Sequence, residues 1–158
     1  MFSQPQAEHH WLAKFIGSWT FEASCYMGPD KPADNSSGKV AVRSLGAMWT
    51  LFETEGSHEG NPWGSIITLG FDPLVNQYVG TFVGSMMAQQ WVYAGTLDAA
   101  GRVLTLDTEG LKFDQNGRTK YQGIIETVDD DHWILKSIML SDDGQWVPFM
   151  ESHHYRVK

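Results

Sequence analysis

LKFDQNGRTKYQGIIETV, residues 111–128, carries the strongest local structural signal in the chain. Two alternating runs, LKFD and RTKYQGIIETV, flank Gln115-Asn116-Gly117. A period of two sends successive side chains to opposite faces of a strand. Asn-Gly suits the backbone of a tight hairpin turn, so the segment predicts two antiparallel strands.

The same pattern continues in both directions. Downstream, Asp129-Asp130-Asp131 makes a turn before HWILKSIML (132–140), and Asp142-Asp143-Gly144 leads into QWVPFMESHHYRV (145–157). Upstream lie RVLTLDT (102–108), entered through Asp98–Gly101, then AQQWVYAGTL (88–97) and QYVGTFV (77–83). WGSIITLGF (63–71) ends at the turn signal Asp72-Pro73. Before it come AMWTLFETE (47–55), KVAVRSL (39–45) and a first strand in which Trp19, Phe21, Ala23 and Cys25 alternate with Thr20, Glu22 and Ser24. MGPDKPADNSSG (27–38) reads as a long loop and GSHEGNP (56–62) as a connector, because Gly, Pro, Asp, Asn and Ser dominate them.

One segment breaks the pattern. In residues 5–16 the apolar Trp11, Leu12, Phe15 and Ile16 recur at helical spacing, with Pro5 before them and Gly17 after. A short helix there predicts a lid or plug against something larger. About ten strands joined mostly by tight turns form an up-and-down meander. Closing the meander removes its two exposed edges. Interior glycines at 64, 70, 80 and 95 allow the sharp coiling that closure needs. The expected fold is therefore all-β: one domain over 1–158, with a helix at 5–16 and a single closed antiparallel barrel over 17–157. A two-layer sandwich is the competing arrangement.

Composition bounds the function. Apolar residues at 42% supply a core, and a formal net charge of −8 with scattered basic residues argues against nucleic acid or anionic membranes as partners. Cys25 is the only cysteine, which rules out an internal disulfide or a cysteine-based zinc site. Met1–Gly17 lacks a basic segment followed by an apolar one, so no signal peptide is read and the cytoplasm is the default location. A homodimer is compatible with the pattern.

Several motifs carry a resemblance. Gly17-Ser18-Trp19, opening the first strand after a short helix, resembles the Gly-x-Trp signature of the calycin barrels, the lipocalins and fatty-acid-binding proteins among them. In those proteins the Trp closes one barrel end and a basic residue near the C-terminus packs across it, a role the resemblance gives to Trp19 and Arg156. His10-x-Leu12, Thr68-Leu-Gly-Phe-Asp-Pro73, Tyr78-Val-Gly-Thr81, Met150-Glu151 and Tyr155-Arg156 together resemble the bacterial domain-of-unknown-function family 1579 over nearly the whole chain. Phe82 and Gly84 depart from that family's usual Trp and Asp. The resemblance implies a calycin-like barrel and no established activity.

Binding chemistry is easier to read than catalysis. No Gly-x-Ser-x-Gly, HExxH or phosphate loop occurs, so no catalytic residue and no metal ligand set is assigned. Glu151, His153 and Tyr155 share one strand face, as do Glu53 and Glu55, and the simpler reading makes both rows solvent-facing. An acid/base pair at the barrel mouth is the alternative. Similar barrels, the nitrobindins, hold haem through one histidine near the C-terminus. His153 or His154 stands at a comparable place, although the Gly-rich N-terminal signature of that family is unmatched. No cofactor is otherwise expected. Met and aromatic side chains make adaptable apolar walls. The expected ligand residues are Arg43 (a candidate anchor for an anionic head group), Trp49, Glu53, Gln89, Trp91, Met150 and His154, and the expected partner is a small hydrophobic or amphipathic molecule. A packed interior would instead leave a structural module.

Overall fold

A computed structural model describes residues 2–26, 28 and 30–158. Helix α1 (Ala7–Ala13) precedes ten strands: β1 (Gly17–Cys25), β2 (Asp34–Leu45), β3 (Trp49–His58), β4 (Asn61–Asp72) and β5 (Gln77–Gly84), then β6 (Trp91–Leu97), β7 (Val103–Leu111), β8 (Arg118–Asp129), β9 (His132–Leu140) and β10 (Trp146–Arg156). Each strand pairs antiparallel with the next, and β1 also pairs with β10, which closes the barrel. The seam runs unbroken from Trp19↔Arg156 to Cys25↔Met150. A sandwich is thereby excluded. Gly80 shows what the coiling requires: a Cβ there would stand 1.9 Å from the Thr68 carbonyl oxygen of the neighbouring strand.

Several boundaries differ from the sequence reading. The helix covers 7–13 rather than 5–16. Lys14, Phe15 and Ile16 bond three residues back, so the chain tightens before β1. β2 begins at Asp34, inside the expected loop, because Asp34–Ser37 pair with β1. A strand held by its neighbours needs no apolar signature. Met27 and Pro29, within that expected loop, lie outside the described residues. The expected connector 56–62 shrinks to a two-residue hairpin at Glu59-Gly60, both at positive φ (50° and 80°) as a twisted hairpin turn demands. The Asn-Gly turn is looser. Positive φ falls on Gln115 and Gly117, and the Asp114 carboxylate accepts the Asn116 N–H at 2.8 Å within the loop 112–117. Strand β6 starts at Trp91 rather than residue 88, and the run 102–108 continues to Leu111 as one strand.

The two ends of the barrel differ. Helix α1 lies at one end, where the Trp11 indole N–H donates to the Gly101 carbonyl at 2.7 Å. Phe15, buried, packs its ring 5.6 Å from Phe52 and 5.5 Å from Trp133. The Trp19 indole N–H donates to the Phe15 carbonyl. The Arg156 guanidinium stacks over Trp19, 4.2 Å from the ring centroid. It donates to the carbonyls of Lys14, Ile16 and Asp130, each at 3.0 Å. One planar fork thus ties the helix exit, the β8–β9 turn and the last strand together. At the opposite end the loops 85–90, 112–117 and 141–145 surround an opening.

Arg156→Lys should lower the unfolding free energy by ~2 kcal/mol in urea titration, since one ammonium cannot serve three carbonyls or stack on the indole. A change within ~0.5 kcal/mol would show that this end is held by the helix alone.

Candidate functional site

Strand alternation selects which side chains enter the barrel. Towards the opening these are Cys25 on β1, Ile67 on β4, Phe82 on β5, Trp91 and Tyr93 on β6, Leu106 and Thr108 on β7, Tyr121 on β8, and Leu135 and Ser137 on β9. A bulge in β10 adds two more. The register with β9 slips between Pro148 and Met150, so Phe149 and Met150 both reach the same space. Together with Met87 they enclose a cavity of about 220 Å³.

Its walls are apolar and aromatic. Trp91 meets Tyr121 edge-on at 4.9 Å, and Tyr121 meets Phe149 at 5.8 Å. The Trp91 indole N–H donates to the Met87 sulfur at 3.1 Å, which pins the loop 85–90 over the rim. Among the described residues no charged side chain lines the cavity. Burial pushes the Tyr93 phenol well above its usual range. It raises the Cys25 thiol as well, with Asp34 adding to the effect, and the Tyr121 phenol, helped by Asp114. The space therefore resists charge. The Thr108 hydroxyl is buried and finds no hydrogen-bond partner among the described residues.

Gly123 also lines the cavity, and a Cβ built there would meet only the Leu106 Cβ, at 3.9 Å. The missing side chain is part of the empty volume.

The residues read from the sequence separate into three groups. Trp91 and Met150 line the cavity. Gln89 sits at the rim against Gly110, where an added Cβ would come 2.7 Å from its amide nitrogen. His154 is inside but nearer the closed end, its ring stacked on Trp133 at 3.6 Å and 3°. Arg43, Glu53 and Trp49 are corrected to the outer wall. Val40 and Val42 take the inward phase of β2, leaving Arg43 outside, where its Nε donates to Glu53 at 2.8 Å. On β3 the inward pair is Thr50 and Phe52, and Trp49 instead covers the outer face of Gly70. Tyr93, Met87 and Phe149, legible in the sequence as aromatic and methionine lining, do reach the cavity, whereas Thr108 and Gly123 were not selected and strand phase relative to Leu106 and Tyr121 was the signal available.

Two histidine arrangements lie apart from the cavity. On the outer wall the His153 imidazole bonds Glu151 at 2.9 Å through Nε2 and His132 at 3.0 Å through Nδ1, with Tyr155 stacked on His132. This places the Glu151–His153–Tyr155 row on the wall rather than at the mouth. In the interior, burial holds the His154 imidazole neutral by lowering its pKa to about 3. Neither His153 nor His154 lines the cavity. No group of three or more His, Cys, Asp or Glu suited to a metal occurs among the described residues. No helix of the described residues is long and apolar enough to cross a membrane.

The fold and the cavity define a closed ten-stranded β-barrel with a small apolar interior at its open end. The chain belongs to the family described as Protein of unknown function (DUF1579), whose model matches residues 4–156. No curated protein matches it. Among solved structures, Rv2717c from M. tuberculosis is similar at a TM-score of 0.68 and 12% identity, covering 98% of this chain and 100% of that one. A de novo designed fluorescence-activating β-barrel is similar at 0.50 and 13% identity, covering 92% and 96%. The barrel EF1p2_mFAP2b bound to DFHBI is similar at 0.51 and 11% identity, covering 96% and 100%. At these identities the likeness is one of fold.

The buried imidazole makes stability depend on pH. The unfolded chain takes a proton on His154 near its ordinary pKa of 6.5, whereas the folded chain resists until about 3. Its contribution is full above 6.5 and is lost as pH falls toward 3, at a slope of at most ~1.4 kcal/mol per pH unit. His154→Phe should flatten that slope between pH 6.5 and 5 in denaturant titrations compared with the unsubstituted protein. Equal slopes would mean that the imidazole is protonated inside the fold.

Proposed function

We propose that the protein binds a small hydrophobic or amphipathic molecule inside the barrel, with a cytoplasmic location read from its sequence alone. The observation that carries this is the 220 Å³ apolar cavity at the open end, walled by aromatics and methionine with Gln122 and Ser137 among its few polar lining residues. A few placed polar groups in an apolar hollow are the ordinary composition of a small-molecule site.

Energetics favour a site over a structural module. The hollow opens at the rim, so its aromatic and methionine walls face water when no guest is bound and forgo about 25 cal/mol for each Å² of apolar surface left uncovered. A barrel serving only as scaffold has no use for that loss, and at Gly123 a larger residue has room to fill part of it. The barrel EF1p2_mFAP2b, bound to DFHBI, supports the reading by analogy of architecture.

Gly123→Leu tests the reading, because its side chain enters the hollow. The substitution should raise the unfolding free energy of the ligand-free protein by ~1 kcal/mol through added packing and lost backbone entropy in the unfolded chain. Native mass spectrometry of protein purified from its own cells should show a bound small mass that this variant lacks. Equal bound mass in both proteins would place the ligand elsewhere, and absence from both, with no binding of naphthalene by calorimetry, would end the proposal.

A further inference from the structure

We infer that the protein pairs with a second copy of itself through the outer wall formed by β2 to β6. Strands that face water on one side alternate apolar with polar residues, whereas strands covered on both sides read as continuous apolar runs. β4 carries IITLGF (66–71), β5 carries YVGTFV (78–83) and β6 carries WVYA (91–94), all runs of the second kind. One phase of each run is spent on the barrel interior, by Ile67, Leu69, Phe82 and Trp91 among others. The other phase is left on the outside.

Register joins the outward residues into one patch. Leu45 faces Trp49, which covers Gly70, and that row continues through Val79 to Ala94. The next row runs Leu51, Thr68, Thr81 and Val92, and a third pairs Ile66 with Val83. Val92 is 64% and Leu45 58% exposed, although each has apolar neighbours within the same wall. No charged side chain interrupts the three rows. The Arg43–Glu53 pair borders them on β2 and β3, and Asp107, opposite Ala94, borders them on β7. The Thr68 and Thr81 hydroxyls bond each other at 2.8 Å, so burying the middle of the wall leaves neither without a partner.

Charge and shape select the occupant. The barrel is closed, so no edge is free to take an added strand, and a partner must pack face to face on the wall. At a net charge of −8 two copies repel through most of their surface, and an uncharged wall is where they can approach. A two-fold axis sets the wall against itself, apolar area meeting apolar area with the charged borders at the rim. A strongly charged partner would find no counter-charge there. Five strands about 4.8 Å apart, apolar outside over up to about five residues, span roughly 400 Å² in projection. Two such walls bury about 1,000 Å² once side-chain relief is counted, the size of weak, transient pairings. The dimer is therefore reversible. Its interface lies outside the barrel, so the pairing stands independently of the cavity reading.

Sedimentation equilibrium of the full chain between about 5 and about 500 μM tests the pairing, since interfaces of this size dissociate in the micromolar range. The mass should rise with concentration from that of one chain toward that of two. Val92→Glu should weaken association about tenfold or more, because the carboxylate loses its hydration without a counter-charge. Val92→Lys should do the same, which separates desolvation from added negative charge. Tyr155→Glu places the same charge on the exposed face of β10, across the barrel from β5, and should leave association unchanged. One-chain mass over the whole range, or dimers that both Val92 variants leave intact, would overturn the inference. Binding of single chains to phosphatidylcholine vesicles in place of pairing, lost in Val92→Glu, would overturn it as well by giving the wall to lipid.

Discussion

The ladder between β1 and β10 is the constraint from which the interior follows. Ten antiparallel strands become an enclosure only when the first finds the last, and here the register runs from Trp19↔Arg156 to Cys25↔Met150. That register puts Trp19, Phe21, Ala23 and Cys25 on the same inner face as Arg156, His154, Ser152 and Met150. A slip of one residue would exchange this face for Glu22, Ser24, Glu151 and His153, which belong in water. The seam is therefore specified by chemistry on both of its faces. Arg156 locks its closed end by bonding three backbone carbonyls from two separate segments at once.

From the seam the interior divides along the barrel axis. Towards α1 the layers are filled by Phe15, Trp19, Phe52, Leu69, Leu104 and Trp133, all nearly inaccessible to solvent. The imidazole of His154 lies flat on Trp133, and Phe21 completes the layer. One to two layers further on, the inward positions shrink to Ala23, Gly123 and Ser137, and the packing opens into the cavity. The filled half supplies rigidity, which lets the other half hold a hole without collapsing. Side chains at the rim then determine what enters.

How much of this was readable depends on how cleanly each strand declares its phase. Asn116-Gly117 and the acidic turns identified the meander, and Gly17-x-Trp19 with Arg156 identified the closed end. Phase was harder. Trp49-Thr50-Leu51-Phe52 carries apolar side chains in both phases, so Trp49 and Phe52 compete for the interior, and only the pairing with β4 decides it. Arg43 beside Val42 shows the same ambiguity. In β10 the bulge at Phe149 changes phase midway, and its one local sign is Pro148, whose missing N–H suits a break in the ladder. Thr108 and Gly123 could not be recognised by type, because a threonine or a glycine on a strand is commonplace. Their meaning arises from neighbours distant in sequence.

That last point bears on why a barrel of this kind can acquire binding without changing its frame. The residues that shape the cavity come from eight of the ten strands, with the loop 85–90 contributing Met87. None of them takes part in the Arg156 knot or in the layer beneath α1. A substitution at Gly123, Thr108 or Met150 therefore alters volume or polarity at one end while the closed end keeps its packing, because contacts separated by a rigid layer add nearly independently. The reverse does not hold. Loosening Arg156 would release the seam itself, and with it the register that points Met150 inward. Closure is thus the prior requirement, and the hollow depends on it.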